Sequence, residues 1–291
     1  MRSLIVAFVL LTLTGLSGFA VERPVSLTIQ SVDVGLSHLP TDLKLNEPEP
    51  QKYEISFDYI YLDPAGNPTG KDRVTAEYVR ALPGGKARWN NVRIAKAKAF
   101  DQQFPEGELQ KYMEGFTYAL SKRADMLKKE FFPGFPDSEM KTKNLVWDMH
   151  MIEQFAWDHF EKLELNRPHA IQSQPEDVPL AGAGAFQNRQ IELTWVGLSK
   201  RNNKLCALIQ YQALMNKFTT SMGDMNFLGR SHYWGDIWVS LKDKQIEHAT
   251  LLEDVLVEFK LPGQASRQLI GVLRKGSFEK TGAVGKRNIR N

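Results

Sequence analysis

The residues whose types and spacing could do chemistry lie in one short segment, residues 232–241, which reads HYWGDIWVSL. In a β-strand, successive side chains point to opposite faces, so every second residue of this segment shares a face. A hairpin through residues 242–245 would place Glu253 of the next strand opposite Trp234. One face would then gather an imidazole, two indoles and two carboxylates: His232, Trp234, Asp236, Trp238 and Glu253.

Two kinds of chemistry suit this set. Indole planes beside carboxylates can stack on and hydrogen-bond a sugar or another amphipathic ligand. The candidate ligand-binding residues are therefore His232, Trp234, Asp236 and Trp238. Alternatively, Asp236 and Glu253 could act as acid and base in a glycoside hydrolase, provided that their spacing suits that reaction. A purely structural role is also open, with the indoles packed beneath a helix.

Other candidate sites are weaker. His150 and Glu153 have the three-residue spacing that lets a helix ligate a metal. No His-Glu-x-x-His motif accompanies them, so we predict neither a metal site nor a cofactor. Cys206 lies in an apolar strand pattern without an activating base and is predicted to be an inert core residue. The glycines of residues 181–186 are typical of a linker rather than a phosphate cradle.

Strands are expected at both ends of the chain. Alternating apolar residues over 25–34 and 52–62 predict half-buried strands, the second with one face formed by Tyr53, Ile55, Phe57, Tyr59 and Tyr61. Segments 71–82 and 86–97 flank Pro-Gly-Gly and predict a hairpin. An apolar residue at every fourth position of segment 71–82 is also compatible with a helix, which remains the alternative for that segment. Residues 25–97 are therefore interpreted as N-terminal strands.

Between the strand regions, residues 106–165 predict two amphipathic helices. The first follows Pro105 and shows a 3.6-residue apolar stripe to Leu127. The second runs from about 142 to 165 with a stripe that includes Leu145 and Met149. Residues 166–188 are rich in Pro and Gly without a sustained period, which indicates a linker.

Residues 189–278 predict an antiparallel meander with strands at 189–198, 204–215, 217–228, 231–241, 245–260 and 267–278. Short connections favour antiparallel pairing of neighbouring strands. We therefore predict one α+β domain over residues 21–278: a bent antiparallel sheet or half-barrel meander, N- and C-terminal strands together, with two amphipathic helices packed on one face.

The first twenty residues predict export. Arg2 precedes an apolar run over residues 4–16, and Gly18-Phe19-Ala20 supplies small residues for cleavage after Ala20. The alternative is an uncleaved anchor, since the run approaches the length of a short span. Beyond the cleavage site no uncharged apolar run reaches membrane-spanning length, so the mature chain is expected to be soluble and either periplasmic or extracellular.

Composition excludes several classes of protein. The 37 Lys and Arg residues nearly balance the 34 Asp and Glu residues, whereas a nucleic-acid-binding protein would show a larger basic excess. A single cysteine excludes an intrachain disulfide. The remaining basicity is concentrated at the C-terminus, where residues 279–291 are interpreted as a basic flexible tail.

Residues 233–249, read as YWGDIWVSLKDKQIEHA, resemble uncharacterised secreted bacterial proteins of β-meander type. The Gly, apolar strand, polar turn and second strand are also similar to periplasmic lipid carriers of the LolA/LolB kind. That resemblance covers about the last hundred residues and implies an unclosed antiparallel barrel whose helices cover an apolar cavity. The long helical insertion departs from the carriers.

These observations favour an exported, non-enzymatic protein that binds an amphipathic or lipid-like ligand between helices and sheet. The alternative hypothesis is a polysaccharide-directed hydrolase that uses Asp236 and Glu253. A third hypothesis is a cell-envelope interaction module. No catalytic motif is present in the sequence to decide for an enzyme.

Overall fold

A computed structural model describes residues 38–136, 139–172, 174–222, 225–260 and 266–283. The predicted signal peptide with its predicted cleavage site at Ala20, the predicted strand 25–34 and the last eight residues of the predicted basic tail lie outside these ranges.

The first described strands are β1 (Gln51–Leu62), β2 (Pro68–Leu82) and β3 (Lys86–Ala97). β1 pairs with β2 and β2 with β3, all antiparallel. The predicted hairpin over residues 71–97 is thus confirmed, and its helical alternative is wrong. Tyr53, Ile55, Phe57 and Tyr59 are all buried, as their alternation in β1 predicts, whereas Tyr61 near the end of the strand is only half-buried.

The predicted first helix is wrong. Its residues form the short strands β4 (Glu108–Leu109) and β5 (Thr117–Ala119), with 3₁₀ turns at Lys111–Met113, Leu120–Leu127 and Lys129–Phe131. Gly115 has a φ of +74°, a left-handed conformation that interrupts a helix. The apolar repeat arises because successive short turns each direct a side chain such as Met113 into the core.

The predicted second helix is present as α1 (Met140–Trp157), although it ends earlier than residue 165. The chain continues through a 3₁₀ turn at Phe160–Lys162, which buries Phe160, and then becomes extended. Ten of the 18 residues of α1 are buried, so the helix is enclosed on more than one side.

The remaining strands follow one another to the end of the described chain. They are β6 (Pro168–Gln172), β7 (Glu176–Pro179), β8 (Gly184–Asn188), β9 (Gln190–Arg201), β10 (Lys204–Met222), β11 (Met225–Ser240), β12 (Ile246–Phe259) and β13 (Gln268–Ala283).

This arrangement corrects three predicted boundaries. Residues 166–188 contain three short strands rather than an unstructured linker. The strand predicted at 217–228 is instead the two arms of the long β10–β11 hairpin. β13 continues to Ala283, so residues 279–283 belong to the sheet and not to a tail.

The described strands form one open antiparallel sheet. Its main path runs β4-β3-β2-β1-β13-β12-β11-β10-β8-β7, while β9 pairs with β10 and β6. The pairing of β1 with β13 joins the N- and C-terminal strands, as predicted. The fold is mostly antiparallel β with one α-helix in the described residues, so the two-helix α+β class is not confirmed.

Helix α1 packs on one face of this sheet, which we call the inner face; the opposite side is the outer face. Glu153 of α1 accepts a hydrogen bond from Tyr78 of β2, and Phe155 contacts Tyr211 of β10 with ring centroids 5.2 Å apart. Five strand spacings separate β2 from β10, about 24 Å in a flat sheet. Because Glu153 and Phe155 are only about 3 Å apart along the helix axis, the sheet must curve around α1.

The core fills the space between α1 and the inner face. Leu145, Val146, Met149 and Ile152 of the helix are completely buried, as are many strand residues around them. Within the described ranges, no helix is both long and apolar enough to cross a bilayer.

Candidate functional site

The predicted binding residues of β11 lie on the outer face, opposite α1. Tyr233, Ile237 and Val239 point to the core, and the alternate residues point outward, as the pattern predicts. The outward row consists of His232, Trp234, Asp236 and Trp238. These side chains therefore share a face, but they do not line the space between helix and sheet in which a ligand was expected.

The two indoles of this row differ sharply in exposure. Trp234 is 42% exposed, whereas Trp238 is only 4% exposed. The Nε1 of Trp238 donates to Ser199 Oγ at 3.3 Å, and its ring centroid lies 5.0 Å from that of His248. Trp238 is therefore held by its neighbours, and only Trp234 offers an open aromatic surface.

Asp236 and His232 are half-buried beside Trp234. Burial raises the pKa of Asp236, while a hydrogen bond with Gln210 acts in the opposite direction. His232 Nδ1 accepts a hydrogen bond from the backbone N–H of Met215 at 3.2 Å. The histidine is thus positioned by an irregularity in β10, where the pairing with β11 shifts between Ala213 and Asn216.

Glu253 does not join this row, because the register between β11 and β12 is one residue away from the predicted one. Trp234 pairs with Leu252, and Glu253 pairs with Tyr233 on the inner face. The hairpin turn causes this difference. The turn extends from Ser240 to Gln245, and the pairing of β11 with β12 also shifts between Trp238 and Val239. Turn length and bulges set hairpin register.

The two candidate acid and base groups therefore lie on opposite faces of the sheet. Asp236 faces outward, whereas Glu253 is 8% exposed and faces the core. One glycosidic bond cannot lie between two such carboxyls. The geometry thus gives the paired-carboxylate hydrolase hypothesis no support.

Glu253 belongs instead to a buried ionic cluster that connects α1 to the sheet. Ser231 Oγ donates to Glu253 Oε1 at 2.5 Å, and Arg274 pairs with both Glu253 and Asp148 of α1. The Arg274 guanidinium also lies 5.1 Å from the Phe57 ring centre. Burial raises the pKa of Asp148 to about 6, although Arg274 opposes the shift.

A second cluster involves Glu153, the carboxylate of the weak metal-ligand spacing. Arg80 forms ion pairs with Glu153 at 2.5 Å and with Glu47 at 2.6 Å. The Tyr78 hydroxyl donates to Glu153 at 2.8 Å. Glu153 therefore connects α1 to β2 through these contacts. The described residues contain no group of three or more potential ligands arranged for a metal ion.

A polar cleft of about 620 Å³ lies where several strand ends meet. Lys204 contacts Asp243 at 2.8 Å and Glu247 at 2.7 Å, and Lys280 contacts Glu247 at 3.1 Å. Burial lowers the pKa of Lys280, although Glu247 opposes the shift. Because the two lysines are already paired with carboxylates, this network joins β10, β12 and β13 and leaves little charge for a ligand. Sequence reasoning missed the cleft since its residues come from distant segments.

Cys206 is completely buried, and burial raises the pKa of its thiol to about 12. At neutral pH the thiol is therefore protonated and a poor nucleophile, in agreement with the expected inert role. Residues 181–186 lead through a turn into β8.

The most unusual surface surrounds Trp234 on the outer face. Six of the ten well-exposed large apolar side chains of the described residues lie on the three neighbouring strands β11, β12 and β13. We call them the outer leucine patch: Leu228, Trp234, Leu252, Leu256, Leu269 and Leu273.

Register brings the members of this patch together. Trp234 lies directly beside Leu252, and Leu273 lies beside Asp254, between Leu252 and Leu256. From the spacing of strands and residues, the patch measures roughly 15 Å by 20 Å. Patches of about this size on a monomer are often functional.

A sequence signal for the patch existed. Residues 255–257 and 269–273 are unbroken apolar runs, and such runs are typical of strands covered on both faces. A search for alternation alone misses these runs, because one apolar face is enough for a strand to pack against the core. The chain matches no protein-family model, and no curated protein shows significant similarity to it.

Proposed function

We propose that this chain is an exported, non-enzymatic protein that binds an amphipathic, lipid-like partner, and that the outer leucine patch is its binding surface. The observation that carries the proposal is the concentration of well-exposed leucines and Trp234 on three adjacent strands. Exposed apolar surface of this extent favours contact with another apolar surface, because covering it removes it from water.

The location differs from the one that the sequence suggested. The space between α1 and the inner face is occupied by completely buried side chains such as Met149 and Ile152. A ligand there would have to displace packed core. A ligand on the outer face would displace no packed core side chains. Trp234 also supplies an aromatic ring with a polar N–H, which suits the boundary between water and an apolar phase.

Export is part of the proposal and rests on the N-terminal pattern of Arg2, apolar run and small residues before Val21. Cleavage after Ala20 is testable by N-terminal sequencing of the secreted chain. A mature N-terminus at Val21 supports export; retention of residue 1 in the purified protein contradicts it.

Binding is tested by flotation of the exported chain with phosphatidylcholine vesicles at low salt. We expect measurable binding that falls at least tenfold in the double variant Leu252→Ser, Leu256→Ser. The matched control is Leu45→Ser, Leu165→Ser, which removes two leucines of similar exposure outside the patch. Equal binding by both double variants would place the contact elsewhere and overturn the assignment of the patch.

A further inference from the structure

The outer leucine patch is flanked by cations that have no ion-pair partner among the described residues. Lys217, Arg230 and Lys275 are all exposed, and within the described ranges no carboxylate lies at ion-pair distance from any of them. Most other charges near the patch are neutralised: Glu258 pairs with Arg267, and Asp58 pairs with Arg73.

The register puts these cations beside the leucines. Arg230 lies opposite Leu256 on one side and Lys217 on the other. Lys275 lies opposite Leu252. Paired residues on neighbouring strands are about 5 Å apart, so the ammonium and guanidinium groups border the apolar side chains directly.

Two carboxylates oppose this arrangement, because Asp236 follows Trp234 in the outward row of β11 and has no ion-pair partner in the described chain. Asp254 lies between Leu252 and Leu256 on the outer face, is exposed and has no ion-pair partner in the described chain. Three unpaired cations against the two carboxylates Asp254 and Asp236 leave the patch with an excess of one positive charge. An apolar centre with a cationic border is complementary to a surface that offers acyl chains beneath negative headgroups.

We propose that the partner of the outer leucine patch is an anionic lipid surface, on which Trp234 and the leucines enter the headgroup boundary while Lys217, Arg230 and Lys275 contact the headgroups. Long basic side chains can keep their charge in water while their stems cover apolar surface. This inference rests on the proposed function and specifies the charge of its partner.

The test compares flotation of the exported chain with vesicles of pure phosphatidylcholine and vesicles that contain one third phosphatidylglycerol. We expect at least tenfold tighter binding to the anionic vesicles, and a steep loss of that advantage as salt is raised. Each cation near such a surface contributes about a fivefold change in affinity. The triple variant K217Q, R230Q, K275Q should therefore lose about a hundredfold on anionic vesicles and little on neutral ones.

The matched control is K86Q, K96Q, K111Q, which removes three exposed lysines from the region of β3 and its following turn. Equal binding to neutral and anionic vesicles, lost in the leucine double variant, would overturn this inference and leave the proposed function intact. Binding to neither vesicle would overturn both. An equal loss in the two triple variants would show a general charge effect and overturn the assignment to these three residues.

Discussion

The two faces of β12 and β13 give neighbouring residues opposite roles. On the inner face, Arg274 and Glu253 are buried and paired with each other. One residue further along each strand, Lys275 and Asp254 are exposed and have no ion-pair partner in the described part of the chain. The residue types are similar and the positions adjacent, so the face alone separates a structural ion pair from a surface charge.

The comparison also holds for apolar residues. Val255 and Val257 are 9% and 8% exposed on the inner face, whereas Leu256 between them is 45% exposed on the outer face. These inner valines are buried, but nothing in the described chain covers the outer leucines to the same extent. Stability is therefore expected to depend on the inner face and binding on the outer one.

The largest expected effect comes from Arg274. Arg274→Met leaves Asp148 and Glu253 buried without their cation, and we expect a loss of about 3–5 kcal/mol in the free energy of unfolding. Urea denaturation measures it. Lys275→Met is the neighbouring control and should change stability by less than about 0.5 kcal/mol. Comparable losses in the two variants would contradict the division between faces.

The next effect is a pH dependence that arises from Asp148. Its pKa is about 6 in the folded chain against 3.8 for the free group. The folded state therefore binds the proton more tightly, and this group's contribution to stability falls as pH rises from about 4 to about 6. Two pKa units correspond to at most about 3 kcal/mol.

The measurement is urea denaturation of the wild-type chain and Asp148→Asn at pH 4 and pH 7. Relative to the variant, the wild type should lose stability between these two values. A gain in that interval would mean that Arg274 dominates burial and lowers the pKa of Asp148.

A smaller effect is expected at Gly235, on the inner face of β11. A Cβ there would lie 2.1 Å from the backbone oxygen of Thr250, which cannot move independently of the strand. Gly235→Ala should therefore cost about 1–3 kcal/mol. At Gly271 the nearest atom is Leu62 Cβ at 3.2 Å, a much less severe approach than the one at Gly235, so Gly271→Ala should cost less. Thermal unfolding of both variants ranks them, and the reverse order would contradict the packing described.

The smallest expected effect concerns the adjacent apolar residues. Val257→Ala should destabilise the chain by about 1–2 kcal/mol because it opens space in a buried position. Leu256→Ser should change stability by less than about 0.5 kcal/mol. If Leu256→Ser proved the more destabilising in denaturation, the outer leucine would be part of the folded core and not a free surface.

Local patterns predicted some elements well. The period-two repeat identified β1 and the buried side of β11, and the 3.6-residue repeat identified α1. The same repeat failed at residues 106–127, because short turns that contact β3 can reproduce helical spacing. A pattern shows which residues are buried, but not which backbone conformation buries them.

The candidate site was only partly predictable for a related reason. Membership of a strand face depends on one strand, and the sequence placed His232, Trp234 and Asp236 together. The position of Glu253 depends on the turn between two strands and on a bulge, so it was predicted on the wrong face. The location of α1 relative to these residues depends on contacts between segments far apart in the chain.

By itself, then, the sequence determined the alternation of side chains along each strand and the presence of α1. Only the tertiary structure decided that Arg274 and Glu253 pair beneath α1 while Leu252 and Leu256 stay open to solvent. The physical reason is that alternation is a property of one strand's backbone, whereas register, curvature and coverage come from packing between segments that the chain order does not relate.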